Sequence, residues 1–351
     1  MEIKELLITT KEKDASDLHL NVGVPPVLRI NGKLEKLNLP ELTPEDTHNM
    51  IYSILSEKQQ TDFEKCGELD LSYELNNLAR FRVNVFKHRR GEGAAFRLIP
   101  EKIKTLSELN LPSILSTFTD KDKGLVLITG TTGSGKSTTL AALIDIINKK
   151  RYDNIITIED PIEFVHYHQN CLISQREIGT HTKSFASALR NALREDPDVI
   201  LVGEMRDLET ISMALTAAET GHLVFSTLHT ISAAETIERI IDVFPPHQQN
   251  QVRMQLAGSI LGVIAQILLP TLDEKGRVPA VEVMIANPAI RNLIREGKVH
   301  QIPSTIQTSK KDGMQSLDQS LKDLVMEDKI SQEEAIKKAI DKKAFMENQY
   351  L

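Results

Sequence analysis

The chain has 351 residues, of which 40% are hydrophobic and 26% are charged, and its formal net charge is −7. This length exceeds what one hydrophobic core usually serves, so we expect one large and one small domain. The composition argues against a disordered chain, and the acidic balance argues against nucleic acid as the main partner.

Several further classes are disfavoured by what the sequence lacks. Two distant cysteines, Cys66 and Cys171, do not suffice for a disulfide framework or a four-cysteine zinc site. The best candidate for a membrane span, residues 256–269, is too short and is interrupted by Ser259 and Gln266. Because the opening residues also do not resemble a secretory signal, we expect a cytoplasmic globular protein.

Residues 1–98 are predicted to form the smaller domain, rich in antiparallel strands. Asn31-Gly32 is typical of a tight hairpin, and Thr43 followed by Pro44 predicts the start of a helix. Three alternating runs follow without intervening helices, which favours an antiparallel meander. Residues 99–118 are expected to be a linker.

Residues 119–351 show a different pattern, in which short apolar runs alternate with amphipathic stretches. Runs of this kind are typical of strands buried on both faces, so the pattern predicts a doubly wound α/β domain. The tail from about residue 315 is expected to be helical and peripheral. The predicted strands are 125–129, 155–158, 199–202 and 223–227.

The strongest signal lies directly after the first of these strands and matches the phosphate-binding loop in full. Glycines in such a loop let backbone N–H groups point at phosphates, and the following helix N-terminus adds partial positive charge. The lysine reaches the β- and γ-phosphates and the serine hydroxyl ligates Mg²⁺. The predicted nucleotide-binding residues are Gly130, Thr131, Thr132, Gly133, Ser134, Gly135, Lys136, Ser137 and Thr138.

Acidic residues follow two other predicted strands. Glu204 comes after the strand 199–202, where an acid holds Mg²⁺ directly or through water, or orients the attacking water. Glu159 and Glu163 follow the strand 155–158, and either could polarise water or complete the outer shell of the metal. Because the carboxyl ends of parallel strands converge, these acids are expected in one crevice. The sequence leaves open which of them is the general base.

Histidines and arginines complete the set of candidates. His222 and His229 flank the strand at 223–227, and a histidine at the carboxyl end of such a strand could contact the γ-phosphate. Arg82 and Arg97 lie on neighbouring strands of the small domain and could project from one sheet face toward a nucleotide held elsewhere. If they act across a subunit boundary, the assembly must be a ring, because repeated head-to-tail contacts close or form a filament.

The order of these motifs resembles the ATPases that drive type II secretion and type IV pili, over nearly the whole chain. The resemblance implies an ATP- and Mg²⁺-dependent hexamer of RecA-like domains, each preceded by a PAS-like domain. It implies that Lys136 and Ser137 bind ATP and Mg²⁺, that Glu204 is the Walker B acid acting on the metal through water, and that Glu163 is a second acidic candidate. Glu159 remains a candidate for the metal. His222 and His229 would form a histidine box, and Arg82 and Arg97 would engage nucleotide.

Residues 289–296 resemble a segment of the pilus retraction branch of that family. This resemblance implies work against an inner-membrane pilus platform protein, alongside a paralogous pilus ATPase, at the inner membrane face. By spacing alone, the segment is equally well an amphipathic helix packed on the core. Two other functions stay open: a nucleotide-dependent accessory subunit of a pilus motor, and a secretion or DNA-transfer ATPase.

Overall fold

In the computed structural model, described over residues 2–30, 32–75, 78–99, 102–273 and 276–342, the chain divides into two units. The first unit is Met1–Lys102 and the second is Ile103–Leu351. Asn31 of the predicted hairpin turn and Pro100 of the predicted linker lie outside the described residues.

The first unit is an antiparallel sheet of six strands with three helices. Its elements are α1 (Ile3–Glu12), β1 (Asp17–Leu20), β2 (Val27–Ile30), β3 (Lys33–Lys36), α2 (Pro44–Tyr52), α3 (Glu57–Cys66), β4 (Glu68–Leu75), β5 (Ala79–His88) and β6 (Gly91–Ile99). The strand order is β3-β2-β1-β6-β5-β4. The pairing of β4 with β5 and of β5 with β6 confirms the predicted meander.

Alternation along the strands gives this sheet two different faces. One face buries side chains such as Val83 and Phe96 in a core shared with the helices, while the intervening residues of β5 are only partly buried. Helix α2 begins as predicted, because the Thr43 side chain accepts from the Asp46 amide and Pro44 occupies the first turn. The opposite, more polar face of the sheet is available for other contacts because its residues on β5 are only partly buried.

The second unit is built around a sheet of seven strands. Its helices and strands are β7 (Gly124–Thr129), α4 (Lys136–Lys150), β8 (Asn154–Glu159), β9 (Leu172–Glu177), α5 (Phe185–Ala192), β10 (Val199–Val202), α6 (Leu208–Thr220), β11 (Leu223–Leu228), α7 (Ala233–Asp242), α8 (Pro246–Ser259), β12 (Ile260–Pro270), β13 (Arg277–Ile285), α9 (Pro288–Arg295), α10 (Ile302–Thr308), α11 (Leu317–Met326) and α12 (Gln332–Lys338). Short 3₁₀ helices occupy Ser113–Phe118, Val299–Gln301 and Lys310–Asp312.

The strand order in this sheet is β13-β12-β7-β11-β10-β8-β9, and every neighbouring pair is parallel except β12 with β13. Strands β7, β10 and β11 are buried along their whole length, and separate apolar clusters cover the two faces of the sheet. The four predicted central strands and the doubly wound α/β arrangement are therefore confirmed. The carboxyl ends of the parallel strands lie along one edge.

Two segments contribute more to the core of the second unit than their composition indicates. Leu115 and Phe118, from the stretch expected as a linker, are buried with the strands of this sheet. The tail is helical as predicted, but Leu321 of α11 packs on Leu269 and Val278 of the β12–β13 pair. Among the described residues, no helix combines the length and the apolar character that a membrane span requires.

Candidate nucleotide-binding site

The loop between β7 and α4 has the conformation that a phosphate-binding loop needs. Gly130, Gly133 and Gly135 adopt positive φ angles of 142°, 79° and 89°. The Ser134 amide donates to the Thr131 carbonyl across 3.1 Å, which closes the turn. Within the part of the chain that the structure describes, no side chain caps the N-terminus of α4. Its first N–H groups are thus left for an anion, and the helix dipole favours negative charge there.

Lys136 lies at the first position of α4 and folds back over the loop. Its Nζ donates to the carbonyl oxygens of Gly130 and Thr131, at 2.8 and 3.1 Å. Burial lowers the pKa of Lys136, and the nearby carboxylates of Glu204 and Glu163 partly offset this effect. The phosphate loop and two of the predicted acids therefore face one another in the same site.

Glu204 follows the carboxyl end of β10 and is held by two cationic or polar neighbours. Its Oε1 lies 2.5 Å from Nε of Arg206 and 3.0 Å from Nε2 of His229. The side chain of Glu204 is mostly buried, with 19% of its surface exposed, whereas Arg206 is 75% exposed. The structure brings Glu204 and His229 together beside the loop, and Arg206 joins them as a contact that the sequence did not predict.

Glu159 is placed differently from the other acids. Its Oε1 accepts hydrogen bonds from the Thr157 hydroxyl at 2.6 Å and from Nε2 of Gln175 at 3.2 Å. Burial raises the pKa of the Glu159 carboxyl to about 7. These hydrogen bonds hold the Glu159 carboxyl at the edge of the sheet. Glu163, in contrast, is exposed, and its charge partly offsets the lowering of the Lys136 pKa.

The two candidate histidines do not meet within this chain. His229 follows β11 at the carboxyl end, where Leu228 pairs with Thr129 just before the phosphate loop. His222 precedes β11, and its Nδ1 lies 3.0 Å from the Ala217 carbonyl. Because a strand rises about 3.3 Å per residue, the length of β11 separates the two residues by roughly 20 Å. The histidine pair expected from the sequence is therefore divided between opposite edges of the sheet.

Arg82 and Arg97 lie directly opposite each other on the polar face of the first unit. They are Cα partners on β5 and β6, so their side chains share that face. Nε of Arg97 contacts Oδ1 of Asp17 at 2.9 Å, and the Arg97 side chain remains 70% exposed. Like charges placed opposite one another on a sheet are unfavourable, and Asp17 offsets this repulsion for one of them. The arrangement presents two guanidinium groups on one surface.

A buried acid on β13 was also missed from the sequence. Glu282 is 5% exposed, and its Oε1 accepts from the Ala233 amide at 2.7 Å. Ala233 begins α7, immediately after the loop that carries His229. Burial raises the pKa of Glu282. An acid between the apolar residues Val281 and Val283 was the signal in the sequence, but only the fold shows which amide it meets.

No set of three or more His, Cys, Asp or Glu residues is assembled for a metal ion within the residues described. Such a cage is not needed for Mg²⁺ in a nucleotide site, since this ion is usually held by one or two protein groups and by substrate phosphates. Ser137 lies in the first turn of α4, directly after Lys136, and a serine hydroxyl at this position of a phosphate-binding loop is one such protein group. The donor set therefore fits a magnesium ion that arrives with the nucleotide.

The parallel sheet and the phosphate loop, with an acid after β10, define a RecA-like P-loop ATPase. The chain belongs to the family of type II/IV secretion system proteins, whose sequence pattern matches residues 3–337.

Similar proteins include the type IV pilus retraction ATPase PilT of Pseudomonas aeruginosa, which is 55% identical over 97% of this chain and 98% of its own length. The twitching motility protein of Neisseria gonorrhoeae is 54% identical over 90% of this chain and 84% of its own length. A crystal structure of the pilus retraction motor PilT with bound ADP matches with a TM-score of 0.92 and 49% identity, covering 98% of each chain.

His166 gives the second unit a pH dependence of its own. Burial lowers the pKa of His166 to about 4, and its Nδ1 is buried without a hydrogen-bond partner. The unfolded chain takes up a proton near pH 6.5 that the folded chain refuses until about pH 4, so stability is present above 6.5 and is lost as the pH falls. At pH 5 this loss is about 1–2 kcal/mol.

We expect the His166→Gln variant to lose less thermal stability than the wild type between pH 7.5 and pH 5. Other titrating groups act equally in both proteins, so the difference between the two shifts in Tm isolates His166. A difference of about 2–6 °C is expected for a unit of this size. Equal shifts would show that His166 titrates normally in the folded protein.

Proposed function

We propose that the chain is a hexameric motor that hydrolyses ATP, with Mg²⁺, to drive the retraction of type IV pili by pilin disassembly. One observation carries this proposal: the loop at 130–137 and Glu204 are intact in a chain that resembles the pilus retraction ATPase PilT along nearly its full length. The motor would act in the cytoplasm against an inner-membrane platform protein, where a paralogous pilus ATPase could work beside it.

The proposed reaction begins with a rearrangement of Lys136. Its ammonium group donates to two loop carbonyls, and phosphate oxygens would replace these acceptors when nucleotide binds. Backbone N–H groups of the loop and of α4 would hold the β-phosphate. Bound Mg²⁺ would neutralise phosphate charge, held from the protein side by the Ser137 hydroxyl and by Glu204 through water.

Glu204 is our candidate for directing water at the γ-phosphate. Its contacts with His229 and Arg206 fix the orientation of the carboxylate at the sheet edge. The charge of Glu163 also acts on the pKa of Lys136, and we propose that Glu163 assists Glu204. Glu159 is proposed to support this edge of the site through its bonds to Thr157 and Gln175, with any role toward the metal confined to the outer shell.

The arginines of the first unit are proposed to complete the site of a neighbouring subunit. Arg82 and Arg97 present two guanidinium groups on one sheet face, and phosphoryl transfer gains about 10³–10⁵ in rate from a well-placed arginine. A head-to-tail arrangement in which each copy supplies these groups to the next closes into a ring. Opening and closing of the successive interfaces would then convert ATP hydrolysis into rotation of the platform protein.

Helix α9 is proposed to couple the motor to its partner. It buries Ile290 and Ile294 against the core, and Arg291 donates to the Ala286 and Gly258 carbonyls, at 3.0 and 2.8 Å. These contacts fasten the helix in place and leave Arg295 exposed. The packed-helix interpretation of this segment is thus compatible with an exposed face that serves a partner.

Replacing Glu204 by glutamine is expected to lower ATP hydrolysis by about 100-fold or more while ATP binding changes less than about threefold. The amide keeps the size of the side chain but does not act as a base or hold a metal-bound water as strongly. Steady-state turnover and equilibrium binding of ATP would be measured on the same preparation. Unchanged turnover would assign the role to another acid, and Glu163→Gln is the matched variant to examine.

Deletion of the gene tests the assignment to retraction. We expect cells to keep surface pili and to lose retraction and twitching motility, and the wild-type gene should restore both. Loss of the pili themselves would favour an assembly function. Pili that are present and still retract would favour a secretion or DNA-transfer ATPase. A nucleotide-dependent accessory subunit of a pilus motor is the remaining alternative. It would show slow turnover in a purified ring.

When the deleted gene is replaced by an Arg295→Ala variant, we expect ATP turnover to stay within about twofold of wild type. Arg295 is exposed and lies far along the chain from the phosphate loop. The variant is expected to restore retraction poorly, because the exposed face of α9 is the proposed coupling surface. Full restoration of retraction by this variant would remove Arg295 from that surface.

A further inference from the structure

A buried glutamine on β12 contacts both the phosphate loop and the helix that follows it. Gln266 is 2% exposed and lies in an otherwise apolar strand. Its Nε2 donates to the Ser134 carbonyl at 2.6 Å, and its Oε1 accepts from the Thr139 hydroxyl at 2.9 Å. One side chain thus bridges the loop and the first turns of α4. Both of these hydrogen bonds are buried.

The bond to Ser134 determines where a neighbouring donor points. The Ser134 carbonyl and the Gly135 amide belong to one planar trans peptide unit, so the C=O and the N–H point in opposite directions. Because Gln266 holds the carbonyl on its own side, the Gly135 N–H is directed away from β12. Backbone N–H groups hold the phosphate in such a loop, so Gln266 sets the direction of one of these donors.

The glycines at both ends of the loop are packed against the same residue. A Cβ on Gly130 would lie 2.3 Å from the Gln266 carbonyl, and a Cβ on Gly135 would lie 3.1 Å from its Nε2. Both glycines also have positive φ. The loop therefore depends on Gln266 at two points, one through its backbone and one through its side chain.

We propose that Gln266 is a positioning residue that keeps the phosphate loop in its binding conformation before nucleotide arrives, and so sets nucleotide affinity. It does not contact the reacting atoms, which are left to Lys136 and Glu204. The proposal rests on the proposed nucleotide-binding function. It predicts an effect on binding and on KM that exceeds the effect on kcat.

Two substitutions at this position separate a positioning role from simple packing. Gln266→Met keeps a side chain of similar length and volume but has no group that can donate to Ser134. Gln266→Ala removes the bond and leaves a cavity. If the residue only fills space, Gln266→Met should bind nucleotide like the wild type and only Gln266→Ala should bind weakly. If it orients the loop, both variants should bind nucleotide weakly.

The probes are ADP and a slowly hydrolysed ATP analogue, titrated with Mg²⁺ against the full-length protein at a temperature well below unfolding. We expect Kd to rise about 10-fold for both Gln266→Ala and Gln266→Met, with kcat at saturation within about threefold of wild type. The matched control is Gln315→Ala, which removes a glutamine bond to Val281 of the same sheet without touching the loop. Its nucleotide affinity should not change.

Thr139 supplies a second test that does not depend on whether the Gln266 variants fold. Thr139→Val removes the donor that orients the amide, and we expect Kd to rise about fivefold, whereas Thr139→Ser keeps the hydroxyl and should bind normally. Wild-type affinity in Gln266→Met, or in both Gln266→Ala and Thr139→Val, would overturn the proposal. Failure of the wild type itself to bind nucleotide would instead overturn the proposed function.

Discussion

Replacing Lys136 with alanine is expected to lower ATP turnover by at least about 100-fold and to weaken nucleotide binding strongly. The reason is electrostatic. In the structure the ammonium group is half-buried and bound to two loop carbonyls, which points it across the loop where phosphates would lie. Alanine leaves the loop without its only side-chain cation within residues 130–138. Turnover and ADP affinity would be measured together.

The matched control for this variant is Lys149→Ala. Lys149 lies near the other end of α4, where it forms an ion pair with Asp145 and is 52% exposed. It shares the helix and the charge of Lys136 but not the loop, so turnover should stay within about twofold of wild type. Equal losses in both variants would mean that helix stability, and not phosphate binding, explains the result.

Replacing Arg82 with alanine is expected to lower kcat by about 10³-fold while ATP still binds within a few-fold of the wild-type affinity. The phosphate loop proposed to bind ATP belongs to the second unit and is left intact. In the proposed mechanism the guanidinium group neutralises charge that develops only in the transition state, so its loss should appear in kcat more than in binding. Steady-state kinetics and equilibrium binding distinguish the two effects.

Arg89→Ala is the control for Arg82. Arg89 is an exposed cation in the turn that joins β5 to β6, so it belongs to the same hairpin but not to the polar face that carries Arg82 and Arg97. Turnover should be unchanged in this variant. An Arg82→Ala enzyme as fast as wild type would remove the arginine from the mechanism.

Much of the site could be predicted from the sequence because its parts are local. The loop motif follows a strand and opens a helix, and Glu204 and His229 lie one or two residues beyond buried strands. In a parallel sheet, strand ends meet at one edge, so sequence position alone predicts that Glu204 and the loop converge. The burial of Lys136 beside Glu204 and Glu163 agrees with this prediction.

The contacts that the sequence did not predict join residues that are far apart along the chain. Gln266 reaches Ser134 across 132 positions, and Glu282 reaches Ala233 across 49. Both were visible only as polar residues within apolar strands, and nothing local indicates their partners. The separation of His222 from His229 has the same origin, since the direction of β11 decides which edge each residue reaches.

The packing of the tail could not be predicted either, because an amphipathic helix does not reveal which surface it covers. Leu321 finds its apolar surface on the antiparallel pair β12–β13. The sequence did not predict these two strands, since residues 256–269 show only an interrupted apolar run.

The central claim is that neighbouring copies meet around one triphosphate, one supplying the phosphate loop and the other supplying arginines. Mixing two inactive variants, Lys136→Ala and Arg82→Ala, tests it directly. At an interface between the two variants, the Arg82→Ala copy keeps Lys136 and its neighbour keeps Arg82. Random mixed rings of equal composition should recover about one quarter of wild-type turnover, because one interface in four then has both intact groups.

The measurement is ATP turnover after the two variants are dissociated together and reassembled, compared with each variant treated alone. Recovery toward one quarter supports a site shared between copies. Activity that stays at the level of the separate variants would show that both groups must come from one chain, and a fully active isolated monomer would contradict the account outright.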